Sequence, residues 1–303
     1  MASIAINGEE LAAELRTEVH RDFTQLVADG YPPGLATILI GDDYASGVYE
    51  RRLRRLATEL GCHYTCEQLP GDAPEADALA AIGKLNADPR VTGILVLRPI
   101  PKQMDEARLY RRLDPRKDIE AVHPDNAGLL ALGQPRFIPS TPASVFWLLD
   151  RYVQSKGGDP ASYYNGLDLV LVGRSNNVGK PALWLGLARN ATVISAHAYT
   201  ARAGRLHEHT QSADILVVAA GVPRLVTGEM VKPGAIVIDV GINAETDPET
   251  GKVRMVGDVD TESVAAVAEA VSPVPGGVGP ITDVYLLHNT VLAARLQARI
   301  GEG

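Results

Sequence analysis

The stretch "VLVGRSNNVGKPA" places Gly173 at the end of an apolar run and Gly179 at the start of a helical one. Backbone N–H groups and a helix N-terminus then face any anion held between them. Phosphate binding is the reading, with a tight structural turn as the alternative. The motif is not a Walker loop: five residues separate the glycines, and Pro181 stands where a magnesium-binding hydroxyl would be. The next apolar run ends "SAHAYT", without the carboxylate that takes the ribose hydroxyls of NAD. Arg174 and His197 are available to a 2′-phosphate, so NADP is the expected dinucleotide and NAD the alternative. A surface arginine and a packed histidine would be the plain structural reading.

Three other stretches carry candidate chemistry. "PVPGGVGPIT" sets three glycines and three prolines within residues 273–280, either a bare turn that a ligand approaches closely or a structural connector. "RKDIEAVHP" brings Asp118 and Glu120 to a turn, where a solvated loop is the default. "GVYERRLRRL" reads as a helix that turns Tyr49, Leu53, Leu56 and, further on, Leu60 to one face, with Arg51, Arg52, Arg54 and Arg55 around them. Cys62 and Cys66 have no second cysteine pair or histidine cluster beside them, so packing is expected rather than a metal site or a disulfide.

The elements that must position these residues alternate along the chain. "ATILIGDD", "HYTCEQL" and "VTGILVL" read as strands, separated by the arginine-bearing helix and by a helix over 74–86. A second series, "LDLVLVGRS", "ATVISAHAYT", "ADILVVAAG" and "AIVIDVG", has a helix from Pro181 and a last helix near Thr282. Strand-helix alternation implies parallel sheets with helical crossovers, and the second series is Rossmann-like. Pro139 and Pro142 mark the boundary between the two series.

A length of 303 residues suits two domains, and 46% hydrophobic with 22% charged residues is ordinary globular composition. No apolar run approaches the ~18 residues of a membrane span. The opening "MASIAINGEELAAELRTEV" lacks the pattern of a secretory signal, so a cytoplasmic protein is expected. A net charge of -8 opposes binding to nucleic acid.

Together the motifs resemble those of the methylenetetrahydrofolate dehydrogenase/cyclohydrolase family. "GDDYASGVY", "FIPSTP", "VGRSNNVGKP", "ILVVAAGVP", "GAIVIDVGIN", "GDVD" and "PVPGGVGPIT" follow the family's order and approximate spacing over nearly the whole chain. The resemblance implies two α/β domains around a cleft. Residues 1–143 with 281–303 would form the folate-binding domain and residues 144–280 a Rossmann-like NAD(P)-binding domain, with the C-terminal helix returning to the first. It also implies a homodimer that oxidises 5,10-methylenetetrahydrofolate to 5,10-methenyltetrahydrofolate and then hydrolyses the product to 10-formyltetrahydrofolate. By resemblance Tyr49 stacks on the folate ring system, and Pro275, Gly276 and Gly277 lie near folate and nicotinamide. The cofactor contacts would be Gly173, Arg174, Ser175, Gly179, His197, Thr200, Gly221, Ile242 and Thr282.

Departures from the family pattern gather on the folate side. Leu53 stands where the family has its catalytic lysine, and Leu97 where it has the glutamine that hydrogen-bonds that lysine. Glu120, followed by Ala121, replaces the aspartate of K-D-V-D-G. The changes are mutually consistent, because a polar partner left without its lysine would cost about 1–3 kcal/mol when buried, whereas two leucines can pack together. Arg52 and Arg54 point about 100° to either side of Leu53, and a guanidinium does not exchange protons near neutrality. They are expected to be solvated, to pair with acidic neighbours such as Glu50 and Glu59, or to attract a polyglutamate tail. Ala198 and Tyr199 remove polar contacts that the family's "CHSRT" supplies. Asp283 replaces an apolar residue on the substrate side and is expected to pair at a helix N-terminus, with a contact to a new substrate group as the alternative. The leading expectation is an NADP-dependent dehydrogenase with cyclohydrolase activity lost or strongly reduced. The others are an oxidoreductase moved to a different substrate, and a non-catalytic folate- or nucleotide-binding paralogue.

Overall fold

The computed structural model describes residues 3–246 and 253–298. The first elements are Ile4–Ala5 (β1), Gly8–Ala28 (α1), Gly34–Ile40 (β2), Tyr44–Glu59 (α2), His63–Leu69 (β3), Glu75–Ala87 (α3), Gly93–Val96 (β4), Glu106–Arg112 (α4) and Pro124–Ala131 (α5). Then come Ser140–Ser155 (α6), Pro160–Tyr163 (α7), Asp168–Val172 (β5), Gly179–Leu187 (α8), Thr192–Ala196 (β6), Ala198–Arg202 (α9), Leu206–Ser212 (α10) and Ile215–Val218 (β7). After a 3-10 turn at Gly228–Met230 follow Ile236–Asp239 (β8), Asn243–Thr246 (β9), Val253–Val256 (β10), Thr261–Ala265 (α11), Ala270–Val271 (β11) and Val278–Gln297 (α12).

The chain divides into two compact units. One holds Leu15–Pro139 with the stretch from Asp283 onward; the other holds Ser140–Thr282 with the stretch up to Glu14. The first contains a three-stranded parallel sheet, ordered β3-β2-β4. Every residue of β2 is buried, the mark of a strand covered on both faces. Ala36, Ile38 and Ile40 pack there with Ile82, Leu85, Ile94 and Leu109. The C-terminal helix is tied into this unit by Asn289 Nδ2, which donates to the carbonyls of Ile119 and Ile138, each at 2.8 Å.

The second unit is built on a six-stranded, all-parallel sheet ordered β1-β11-β8-β7-β5-β6. From β5 the chain passes to β6 on one side and then to β7 on the other. Such a reversal opens a crevice at the carboxyl ends of the strands, where doubly wound sheets bind ligands. The described residues up to Glu14 cluster with this unit rather than with the first, because β1 pairs with β11 in register Ile4↔Ala270. No signal in a two-residue strand announces that pairing.

Three local expectations are corrected. The strand of "ATVISAHAYT" stops at Ala196, because Thr200 Oγ1 accepts the His197 N–H at 3.1 Å and a short helix begins at Ala198. The last helix starts at Val278, with Pro280 in its first turn, where a missing N–H costs nothing. An antiparallel pair, β9 with β10, interrupts the alternation. Its strands are largely exposed and lack an apolar run. Among the described residues no helix is long and apolar enough to cross a membrane.

Candidate functional site

In the first unit, the helix that carries Tyr49 is set by Asp43 at its N-cap. Asp43 Oδ1 accepts from the Ser46 N–H at 2.8 Å and from Ser46 Oγ at 2.6 Å. From there the helical period sends Leu53 and Leu56 into the core and the four arginines outward, as the pattern predicts. Leu53 has no exposed surface, and Leu97, just past β4, is 4% exposed. Both positions are therefore closed to water and offer no hydrogen-bonding atom.

Arg52, half exposed, pairs with neither Glu50 nor Glu59. Its Nε lies 2.7 Å from Asp283 Oδ2 and its Nη2 3.0 Å from Asp283 Oδ1, a two-pronged pair. The guanidinium carbon stands 5.3 Å from the centroid of the Tyr49 ring. Asp283 sits inside α12 rather than at its N-terminus, which corrects that expectation as well. Burial, then the charges of Asp283 and Glu120, push the Tyr49 hydroxyl well above the ordinary phenol range. Tyr49, Arg52, Glu120 and Asp283 thus share one electrostatic environment. Arg54 takes the expected acidic partner, with Nη2 2.7 Å from the buried Glu50, which Tyr64 also bonds at 3.0 Å. Arg55 lies 3.9 Å from Glu59.

The loop bearing Glu120 is held from below. Lys117 is buried, and its Nζ donates to the carbonyls of Leu85, Asn86 and Asp88 at 2.8–3.2 Å. Asp118 is fully buried, not solvated. It accepts from the N–H groups of Val122 and His123 and from Asn126 Nδ2, at 3.1, 2.8 and 2.8 Å. Burial raises its pKa against the pull of these donors. The effect is to present the half-buried Glu120 at a rigid bend. Ala121 completes the bend at φ 50°, a conformation that costs a side chain about 1–2 kcal/mol. Cys62 is buried, with its thiol pushed up to about 12, and Cys66 is a half-buried free thiol.

In the second unit, the loop after β5 closes on itself. A Cβ at Gly173 would lie 2.2 Å from the Ala219 carbonyl oxygen, and one at Gly179 2.2 Å from that of Gly173, so strand, turn and helix meet this tightly only with glycine. Ser175 Oγ accepts from the N–H groups of Val178 and Gly179 at 3.1 and 3.4 Å. Arg174 and Ser175 are exposed. The Gly173 N–H bonds the Ala196 carbonyl at 2.9 Å, which sets the end of β6, with His197 and Thr200, beside the loop. His197 Nδ1 is buried without a partner, while Tyr199 is 61% exposed.

The loop after β7 depends on a residue that motif reading quoted without a role. Asp258, fully buried, accepts from the N–H groups of Ala220, Gly221 and Val222 at 2.6, 2.8 and 2.9 Å, and from Asn243 Nδ2 at 2.8 Å. The signal that could have found it is an acid between apolar residues in "GDVD". Ile242 is exposed nearby in sequence, and Thr282 Oγ1 turns back to the Val278 carbonyl at 3.1 Å. In the turn of Pro275, Gly276 and Gly277, the Gly276 carbonyl accepts the Gly8 N–H at 2.8 Å, and a Cβ on Gly8 would lie 1.7 Å from the Gly277 oxygen. The close approach seen at this turn is therefore made by the chain itself.

Residues 139–298 match the NAD(P)-binding domain of tetrahydrofolate dehydrogenase/cyclohydrolase, and residues 6–120 match the catalytic domain. The chain is 58% identical over 296 residues to the bifunctional protein FolD 3 of Rubrobacter xylanophilus, covering 97% of this chain and 93% of that one. Among solved structures, the bifunctional FolD enzyme of Campylobacter jejuni is 37% identical with a TM-score of 0.89, over 98% of this chain and 100% of that one. The methylenetetrahydrofolate dehydrogenase-cyclohydrolase of Trypanosoma brucei, solved with NADP cofactor and an inhibitor, is 30% identical with a TM-score of 0.90, over 99% of both chains.

Proposed function

Since the chain belongs to the tetrahydrofolate dehydrogenase/cyclohydrolase family, we propose that it oxidises 5,10-methylenetetrahydrofolate to 5,10-methenyltetrahydrofolate with NADP as hydride acceptor, and that hydrolysis of the product is lost or strongly reduced. The observation that carries the second half is Leu53, a hydrocarbon with no exposed surface at the family's lysine position. The two half-reactions make different demands. Oxidation moves a hydride from the methylene carbon to the nicotinamide and leaves a resonance-stabilised cation, so it needs orientation and no proton carrier. Hydrolysis adds water to that cation, and the water must lose a proton while a C–N bond breaks; a positioned acid or base is worth about 10²–10⁴-fold there.

The neighbouring groups are poor replacements. The Tyr49 hydroxyl is held protonated by burial and by two carboxylates. Both Asp283 oxygens face Arg52, and a guanidinium does not exchange protons near neutrality. For orientation, Tyr49 offers its ring and Glu120 a carboxylate for the amidine-like edge of the pterin. The glycine-closed loop after β5, with Ser175 and Arg174, fits the phosphates of a dinucleotide, and the buried, unpartnered His197 Nδ1 lies next to it in the fold. Bound NADP supplies the hydride acceptor, and the residues named here bind and orient.

A second reading, the same oxidation applied to a different ring, is favoured by the longer Glu120 and by the Arg52–Asp283 pair beside Tyr49. NADPH formation with methylenetetrahydrofolate, run alongside binding of NADP and of tetrahydrofolate, tests the assignment. Turnover supports the proposal, and NADP binding without folate binding supports the second reading. Binding of both without turnover would make the protein a non-catalytic paralogue.

A further inference from the structure

Tyr199 stands in the first turn of α9, where the family's arginine of "CHSRT" would be, and exposes most of its ring. Two guanidinium groups converge on that ring. Arg174, from the loop after β5, has its central carbon 5.7 Å from the ring centroid, and Arg202, the last residue of α9, has its own at 5.1 Å. Sheet register places them together: Val172 of β5 pairs with Ala196 of β6, so the segments that follow the two strands leave the sheet side by side. His197 packs edge-on against the same ring, with centroids 6.0 Å apart.

The second unit contains seven arginines. Five are paired with carboxylates: Arg151 with Glu14, Arg189 with Asp150, Arg205 with Glu208, and Arg224 and Arg254 with Glu245. Among the described residues, Arg174 and Arg202 are the two without one. Like charges gathered on one aromatic ring repel, and the cation–π attraction that holds each is modest at an exposed site. A dianion bound between them would relieve that repulsion and give each guanidinium a charge-assisted partner. β6 ends at Ala196 and is followed by His197 and Ala198, so no carboxylate competes for the place or takes ribose hydroxyls instead.

We infer that Tyr199 is the platform of a 2′-phosphate subsite, stationing Arg202 beside Arg174 so that the two guanidinium groups clamp the phosphate of a 2′-phosphorylated adenosine. The inference rests on the proposed use of NADP, and it assigns the discrimination to a residue pair that the family motif does not contain. Tyr199 is then a positioning residue, and Arg202 a second specificity-determining arginine. The family's arginine is replaced in kind, because an arginine now comes from one turn further along, whereas the serine's hydroxyl is lost at Ala198.

Calorimetric titration with NADP, NAD and 2′,5′-ADP tests this on the native protein and on Arg202→Ala, Tyr199→Ala and Tyr199→Phe. Loss of one charge-assisted contact should weaken NADP and 2′,5′-ADP by about 10- to 100-fold in Arg202→Ala and leave NAD within about twofold. Tyr199→Ala should lose a comparable factor, Tyr199→Phe should keep native affinity, and the Arg202/Tyr199 double variant should lose less than the product of the single losses. Both side chains are exposed, so unchanged melting temperatures will show that the fold is intact. Native-like NADP affinity in Arg202→Ala, or equal weakening of NADP and NAD in Tyr199→Ala, would overturn the inference while leaving NADP as cofactor. A native protein that binds NAD as tightly as NADP would remove the cofactor reading itself, and the subsite with it.

Discussion

Leu53 is a fully buried hydrocarbon at the position of the family's lysine. Restoring the lysine alone should fail, since Leu53→Lys places an ammonium at a position with no exposed surface and burial would depress its pKa. Enzyme-dependent loss of methenyltetrahydrofolate absorbance should stay near the buffer rate for the native chain and for Leu53→Lys. Leu53→Lys with Leu97→Gln should recover more, in free-energy terms, than the two single changes summed. Rapid hydrolysis by the unmodified protein would refute the assignment. The Arg52–Asp283 pair predicts a milder effect. Arg52 is half exposed, so Asp283→Leu should cost only about 1 kcal/mol in urea titration. The released guanidinium should nonetheless raise the KM for the folate substrate and leave the KM for NADP in place, which initial-rate kinetics will separate.

At the scale of elements, loops that follow strands carry the candidate site, and buried acids hold them. Asp258 satisfies three successive backbone N–H groups after β7, so Asp258→Ala leaves three part-buried donors without that acceptor, at up to about 1–3 kcal/mol each where water from the exposed side of the loop does not replace it. The variant should lose several kcal/mol of stability, partly recovered as waters enter. Where it folds, it should raise the KM for NADP by about tenfold or more, because the Gly221 loop is no longer fixed. A melting temperature and a cofactor KM both at native values would show that the loop holds its shape unaided. Asp118 plays the corresponding part under Glu120. The alternation of strands and helices was legible in the sequence because buried parallel strands are apolar runs. These buried acids were not, since an aspartate that collects backbone N–H groups looks in sequence like any polar loop residue.

Buried acids give the whole molecule a pH dependence, to which Asp239 contributes alongside Asp118. Asp239, at the end of β8, has no exposed surface, and burial together with nearby Asp258 raises its pKa to about 6. An aspartate in the unfolded chain titrates near 3.8. Between those values the folded protein holds a proton that the unfolded chain has released. Stability from this group is therefore greatest below about pH 4 and falls as pH rises to about 6, by about 3 kcal/mol in total. Asp239→Asn should shift stability by a constant amount and flatten this segment of the curve. Urea midpoints measured from pH 4 to 7 will show whether the native slope has this sign. An equal slope in the variant would place the titration elsewhere.

By itself the sequence determined the two parallel sheets, the glycine-closed turn between Gly173 and Gly179, the family, and the absence of a side-chain nitrogen at Leu53. Each is a local matter: strand burial, glycine spacing and residue type are written in consecutive letters. Only the tertiary structure decided what the charged residues do. Arg52 meets an acid 231 positions away, Arg174 and Arg202 meet on a tyrosine from an adjacent strand's end, and Ile4–Ala5 join the sheet of the second unit. A long cationic side chain reaches many partners within a few ångströms, and which one it takes is set by packing of distant segments. No window of sequence contains both ends of such a contact.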